Sequence, residues 1–181
     1  MRRVQVNLDL ARIKSIKLVI FDVDGVLTDG RIVIDDNGIE SKFFDVRDGA
    51  GLKWLKRAGI ELAFLTGRES RVVEHRAKEL GVSIIRQGAK QKLTVYKEII
   101  EELGLTDREV AFVGDDLVDL PVLRRVGLAM APADARPEVK NEAHYICQQT
   151  GGRGAAREIA EIILKGQGLW EQITDRYFQS A

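Results

Sequence analysis

Leu18-Val19-Ile20-Phe21-Asp22-Val23-Asp24-Gly25-Val26 is the stretch that decides how this chain reads. Four apolar residues run together and stop at two carboxylates and a glycine. An apolar run with no polar alternation reads as a strand buried on both faces. That places Asp22 at the strand's C-terminal end, where ligands bind in open α/β sheets. Asp24 lies two residues on, so the two carboxylates can point the same way. No basic residue stands beside them, and their mutual repulsion raises a proton affinity that a cation would relieve. Such a pair suits a reaction needing both a nucleophile and a proton donor. The bland alternative is an Asp-rich turn with no chemistry, since Asp also favours turns and helix caps.

Outward from this stretch, strands and helices alternate. A helical turn is expected within residues 8–14 and the first strand over about 17–22. Arg31-Ile32-Val33-Ile34 and Ile39-Glu40-Ser41-Lys42-Phe43-Phe44 flank Asn37-Gly38, a strong local signal for a β-hairpin over about 31–44. A helix follows Asp48-Gly49 and stops at Gly59. Ile60 to Leu65 reads as a strand, Glu69 to Leu80 as a helix, Val82 to Arg86 as a strand and Lys90 to Leu103 as a helix. Then come a strand over Val110 to Val113, a helix over Leu117 to Val126, and short strands at Leu128 to Met130 and His144 to Cys147. A helix over Gly154 to Leu164 and an amphipathic tail over about 166–181 end the chain. Alternation of this kind implies right-handed crossovers and a doubly wound parallel sheet with helices on both faces, a Rossmann-like α/β fold. Each polar cluster then falls at a strand's C-terminal end, so the clusters converge on one crevice.

With 181 residues, one domain over residues 1–181 with a full core is expected. Lys plus Arg and Asp plus Glu both number 28, giving zero formal net charge. This speaks against nucleic acid or a membrane surface as the main partner. The single cysteine, Cys147, excludes an internal disulfide and fits a reducing compartment. The segment Met1-Arg2-Arg3-Val4-Gln5 lacks a signal-like apolar core, and no stretch approaches transmembrane length. A cytoplasmic location is therefore expected.

Asp22-Val23-Asp24-Gly25-Val26-Leu27-Thr28-Asp29, Thr66-Gly67-Arg68, Lys92 and Gly114-Asp115-Asp116-Leu117-Val118-Asp119 resemble, in order and context, the four motifs of the haloacid dehalogenase superfamily. Lys90 is a nearby alternative to Lys92, but Gln87 to Leu93 resembles one branch closely. That branch dephosphorylates 3-deoxy-D-manno-octulosonate (KDO) 8-phosphate. The segments Gly30 to Gly51, Arg47-Asp48-Gly49 and Gly151-Gly152-Arg153-Gly154-Ala155 fit it too. The resemblance covers nearly the whole chain, thinning before residue 16 and after 165. It implies a Mg²⁺-dependent phosphatase of lipopolysaccharide precursor synthesis, and a homotetramer with shared active sites. The runner-up substrate is a nine-carbon keto sugar acid 9-phosphate.

The residues suit that chemistry. Asp22 is the candidate nucleophile, forming an aspartyl-phosphate, and Asp24 the candidate acid and base. Asp22, Asp24 through its backbone carbonyl, and Asp115 form an oxygen site of the kind Mg²⁺ prefers. Lys92 supplies positive charge and Thr66 a hydroxyl to the phosphoryl group. Asp119 would orient Lys92 or a metal-bound water. Asp116 is either a supporting carboxylate or a helix N-cap. Gly67, Arg68, Arg47, Asp48 and Arg153 are assigned to phosphate or substrate, against the plain alternatives of solvated charges and a glycine-rich helix start. His75, His144, Trp54 and Cys147 read as structural or merely exposed. Trp170, with Tyr177 and Phe178, is expected to pack on this chain or on a partner.

No cap domain fits between Asp24 and Thr66 or between Thr66 and Lys92. An open crevice would leave an acyl phosphate in water, and a lone apolar hairpin is marginal. Neighbouring subunits that pack hairpins and close each other's crevices would resolve both. Two other classes remain. A phosphorelay receiver carries its phosphorylated Asp after the third strand, where this chain has none. A non-catalytic sugar-phosphate binder would not need the full set of acids, Thr and Lys.

Overall fold

β1 (Leu18–Phe21) has no exposed residue. It lies between β4 (Glu61–Leu65) and β6 (Val110–Val113), parallel to both. In this computed structural model, which describes residues 9–178, Phe21 stands level with Phe64 on one side and Val113 on the other. Asp22 is therefore level with Leu65 and Gly114, and Thr66 and Asp115 each lie one residue beyond. The register alone brings three motif loops to the same height.

β5 (Ile84–Arg86), β7 (Leu128–Ala131) and β8 (Tyr145–Ile146) complete a six-stranded parallel sheet, ordered β5-β4-β1-β6-β7-β8. From β1 the chain winds out through β4 to β5, then crosses back to β6. The crevice at β1's C-terminal end is thus the switch point of the sheet, where open α/β folds bind ligands.

Alternate strand residues face opposite layers. Val19, Phe21, Leu62 and Phe64 pack with α2 (Val46–Arg57), α3 (Arg71–Leu80), α7 (Ala155–Gly166) and the short α1 (Leu10–Lys14). Leu18, Ile20, Ala63 and Phe112 pack with α4 (Lys92–Glu102), α5 (Leu120–Leu123) and α6 (Pro137–Glu142). This is the expected two-faced Rossmann-like sheet.

Two boundaries and one element differ most from expectation. α2 starts at Val46, because Asp45 accepts a hydrogen bond from the Arg47 N–H and caps the helix. Only Leu120–Leu123 is α-helical where 117–126 was expected; a 3₁₀ turn over Leu117–Asp119 precedes it, and Pro121, which lacks an N–H, fits only its first turn. α6 was not foreseen, since its six residues bury a single apolar side chain, Val139, and show no periodicity.

The hairpin forms, but with shorter strands than expected: β2 (Val33–Ile34) pairs antiparallel with β3 (Glu40–Ser41). Gly38 supplies the positive φ of the turn, 77°. The Asp35 carboxylate accepts from the Asn37 and Ile39 N–H groups and closes it. Ile32, Ile34, Ile39 and Phe43 are 56, 58, 63 and 69% exposed. Phe44, grouped with them from sequence, instead packs on the core beneath the Arg76 guanidinium. At the other end, Trp170 on α8 (Trp170–Thr174) meets Trp54 edge-to-face, ring centroids 5.5 Å apart, and the Trp54 indole N–H donates to the Tyr177 hydroxyl. That part of the tail packs on its own chain; residues 179–181 lie outside the described residues.

Candidate active site

The loops after β1, β4 and β6 and the first turn of α4 enclose a cleft of about 370 Å³ lined by Asp22, Asp24, Gly30, Thr66, Gly67, Arg68, Lys92, Asp115, Asp116 and Val118. Asp22 is 6% exposed and its Oδ1 accepts from the Val23 N–H at 2.7 Å. Its Oδ2 lies 2.9 Å from Lys92 Nζ. Lys92 is also buried and donates to Asp119 Oδ1 at 2.7 Å. Lys90 is exposed at the surface. Thr66 is buried at the cleft wall.

Asp119 is saturated. Besides Lys92, it accepts the Asp115 and Asp116 N–H groups on Oδ2, at 3.0 and 3.2 Å. It holds Lys92 and shapes the Gly114-Asp115-Asp116 loop. Asp116 caps the 3₁₀ turn, its Oδ1 accepting from the Leu117 N–H at 2.7 Å.

Asp115 has no such support. Its Oδ1 is buried without a partner among the described residues. Burial, followed by the charges of Asp22 and Asp119, pushes its carboxyl up to about 8. Burial likewise pushes Asp22 up to about 7, against the pull of Lys92. Burial opposes the charge on Lys92, but Asp22 and Asp119 outweigh it and hold its pKa above the ordinary value. Three carboxylates around one ammonium leave the pocket short of positive charge.

Asp22, Asp115 and Asp119 each place a carboxylate oxygen within 4.8 Å of the others. Asp119 uses both oxygens on three donors, whereas Asp22 has one donor on each oxygen and Asp115 Oδ1 has none among the described residues, so Asp22 and Asp115 are the side chains with lone pairs left for a metal. All their donors are hard oxygens and the missing charge suits a divalent ion, so Mg²⁺ fits. Gly25 is required beside them: a Cβ there would lie 2.2 Å from Asp115 Oδ2, and its φ is +91°.

Two readings from sequence need correction. The paired carboxylates do have basic partners, from distant segments: Lys92 at Asp22, and Lys42, on the hairpin, at Asp24. Asp48, assigned to substrate, is a buried cap: it accepts the Gly154 N–H at 3.2 Å and the Arg157 N–H at 2.8 Å. It joins α2 to the start of α7, and burial raises its pKa.

Arg47 and Arg153 do not reach the cleft. Arg47 pairs with Asp45 at 2.7 Å and donates to the Arg153 carbonyl at 3.0 Å. Arg153 lies 3.8 Å from Asp29. With Arg31 they line a separate groove of about 690 Å³ between the hairpin and the Gln148–Arg153 loop. Arg68 stands at the cleft rim, 3.8 Å from Asp24 and 3.0 Å from Glu40. The glycine pair has a packing role: a Cβ on Gly151 would lie 1.9 Å from the Gly25 carbonyl oxygen, and the Gly152 N–H donates to the Val26 carbonyl. These glycines hold the loop that carries Asp24.

Sequence reasoning missed Lys42, Glu40 and Ser70. A lysine near the end of a polar-edged ribbon reads as solvated charge, and no local spacing ties it to Asp24.

The family model described as haloacid dehalogenase-like hydrolase matches residues 44–127. The 3-deoxy-D-manno-octulosonate 8-phosphate phosphatase KdsC of Escherichia coli K12 is 44% identical over 163 residues, covering 90% of this chain and 87% of that protein. A crystal structure of a probable YrbI family phosphatase from Pseudomonas syringae pv. phaseolica superposes with TM-score 0.93 at 47% identity, over 95% of this chain and 98% of that one. The Moraxella catarrhalis KDO 8-phosphate phosphatase, solved with magnesium ion, phosphate ion and KDO, superposes with TM-score 0.91 at 42% identity, over 94% and 97%.

Proposed function

We infer, for a chain that belongs to the haloacid dehalogenase-like hydrolases, that it is a Mg²⁺-dependent phosphomonoesterase that releases phosphate from KDO 8-phosphate. The observation that carries the reading is Asp22 Oδ2 held 2.9 Å from buried Lys92, beside an Asp115 oxygen with no partner. That arrangement offers a fixed nucleophile beside one buried ammonium and an open hard-oxygen position for a divalent ion. The relative of known substrate at 44% identity over 90% of this chain supports the choice of sugar.

In the first half-reaction, an Asp22 carboxylate oxygen attacks phosphorus while the P–O bond to the sugar breaks. Asp24 delivers its proton to the departing alkoxide. In the second, Asp24 takes a proton from water as that water attacks phosphorus, and the bond to Asp22 breaks to free phosphate and the carboxylate. Lys92 neutralises Asp22 before attack and the phosphoryl oxygens afterwards. Thr66 and the Gly67 segment line the wall that receives those oxygens. Mg²⁺, when bound by Asp22, Asp115 and the Asp24 carbonyl, supplies charge neutralisation for phosphoryl transfer.

Arg68 at the rim and the groove carrying Arg31, Arg47 and Arg153 are matched to a keto sugar acid's carboxylate. The exposed apolar hairpin and the uncapped crevice support a homotetramer in which subunits cover one another's sites. No described helix is long and apolar enough to cross a membrane. Phosphate release from KDO 8-phosphate and from a nine-carbon keto sugar acid 9-phosphate, assayed side by side, tests the substrate. A clear kcat/KM preference for the eight-carbon sugar is expected; equal turnover or the reverse preference overturns it.

A further inference from the structure

The hairpin touches the catalytic loop through one buried charge. Lys42, immediately after β3, has a side chain only 1% exposed, and its ammonium pairs with Asp24 Oδ1. The same ammonium lies 3.4 Å from Glu40 Oε1. Glu40 is held in turn: Arg68 donates to its Oε1 at 3.0 Å and the Ser70 hydroxyl donates to its Oε2. The chain of contacts therefore runs from the loop after β1, through the hairpin, to the loop after β4. A buried ammonium survives only when paired and hydrogen-bonded, and here it has two carboxylates. Lys42 is too well covered to meet a substrate lying in the cleft.

We propose that Lys42 is a positioning residue for Asp24. It holds Oδ1; Oδ2 accepts no hydrogen bond among the described residues, with Arg68 Nε 3.8 Å away, and is the oxygen left to give and take the proton at the reacting phosphate ester. Glu40 fixes Lys42, with Arg68 and Ser70 fixing Glu40. The hairpin thereby sets the orientation of the catalytic acid. This rests on Asp24 being the proton donor in the proposed phosphatase reaction.

Leaving-group dependence separates the possibilities. A nitrophenolate departs with little help, whereas a phenolate or sugar alkoxide needs a proton. kcat/KM is measured for Lys42→Met, Lys42→Arg and Asp24→Asn with KDO 8-phosphate and a series of aryl phosphates from p-nitrophenyl to phenyl, at saturating Mg²⁺. For Lys42→Met a loss of about 10²-fold is expected on the sugar phosphate and phenyl phosphate, the scale of a misplaced catalytic group. The p-nitrophenyl ester loses much less. The same steepening is expected in Asp24→Asn, and Lys42→Arg recovers most of the loss. Should Lys42→Met fail to fold, Glu40→Gln, which loosens Lys42 from the outside, gives the same pattern more weakly. Equal losses across the series in the Lys42 and Glu40 variants, with Asp24→Asn still leaving-group dependent, overturn the positioning role alone. A raised KM for the sugar phosphate with unchanged kcat also overturns it, by showing that Lys42 touches substrate. Equal losses across the series in Asp24→Asn overturn the assignment of Asp24 itself.

Discussion

The cleft and the hairpin are held in opposite ways. At the cleft, Asp22, Thr66 and Asp115 stand at the ends of strands with fully buried residues, and the register of β1 with β4 and β6 fixes their height. The hairpin has two paired residues per strand, four apolar side chains largely in solvent, and a grip on the body through Glu40 and Lys42. The proposed chemistry falls where the backbone is over-determined. The proposed recognition and closure fall to the hairpin, where the chain by itself leaves surface uncovered. The two regions should accordingly fail differently when altered.

The largest effect is expected at the nucleophile. Asp22→Asn should lower kcat by about 10⁴-fold or more, as removal of a nucleophile does, with the melting curve retained. An active Asp22→Asn enzyme would remove the cleft from the mechanism. Next is the metal. EDTA should bring phosphate release to background and Mg²⁺ should restore it. Asp115→Ala should raise the Mg²⁺ concentration for half-maximal activity beyond the roughly 10–100-fold typical of an outer-shell partner. Full activity after chelation would contradict the site.

The hairpin should give a smaller and different signature. Replacing Ile34 and Phe43 with Asp should shrink the particle in light scattering and raise KM for the sugar phosphate several-fold, with p-nitrophenyl phosphate less affected. A monomer with normal turnover of the sugar phosphate would separate the hairpin from closure of the cleft.

The smallest effect is thermal. Asp22 and Asp115 rise from an ordinary 3.8 to about 7 and about 8 on folding without metal. Their protonated forms favour the folded state, a contribution full below 3.8 and lost as pH rises to about 7 and 8. Mg²⁺ competes with those protons, so it should stabilise far more at pH 8 than at pH 5. A hundredfold excess over Kd at pH 8 gives about 2.7 kcal/mol, which for a chain of this length is roughly 5–10 °C in Tm. Equal Mg²⁺-induced shifts at the two pH values would place the ion elsewhere.

The sequence by itself determined the parallel sheet and the motif positions. Runs such as Leu18–Phe21 and Val110–Val113 are apolar throughout, and an unbroken apolar run followed by polar residues marks both a buried strand and its ligand-bearing end. Asp22, Asp24, Thr66 and Asp115 were legible for that reason, each following a strand whose own residues declare it, whereas Lys92 was told from Lys90 only by the family resemblance of Gln87 to Leu93. What only the tertiary structure decided is where charges from distant segments meet. Asp48 turned out to cap α7, 106 residues away, and Arg47 and Arg153 to line a separate groove. Lys42, 18 residues from Asp24, turned out to be buried against it. Local pattern records which face of an element is buried. A pairing between charged side chains leaves no such trace, because a solvated lysine and a lysine desolvated against a carboxylate are the same letter in the same ribbon, and only folding brings the partner to it.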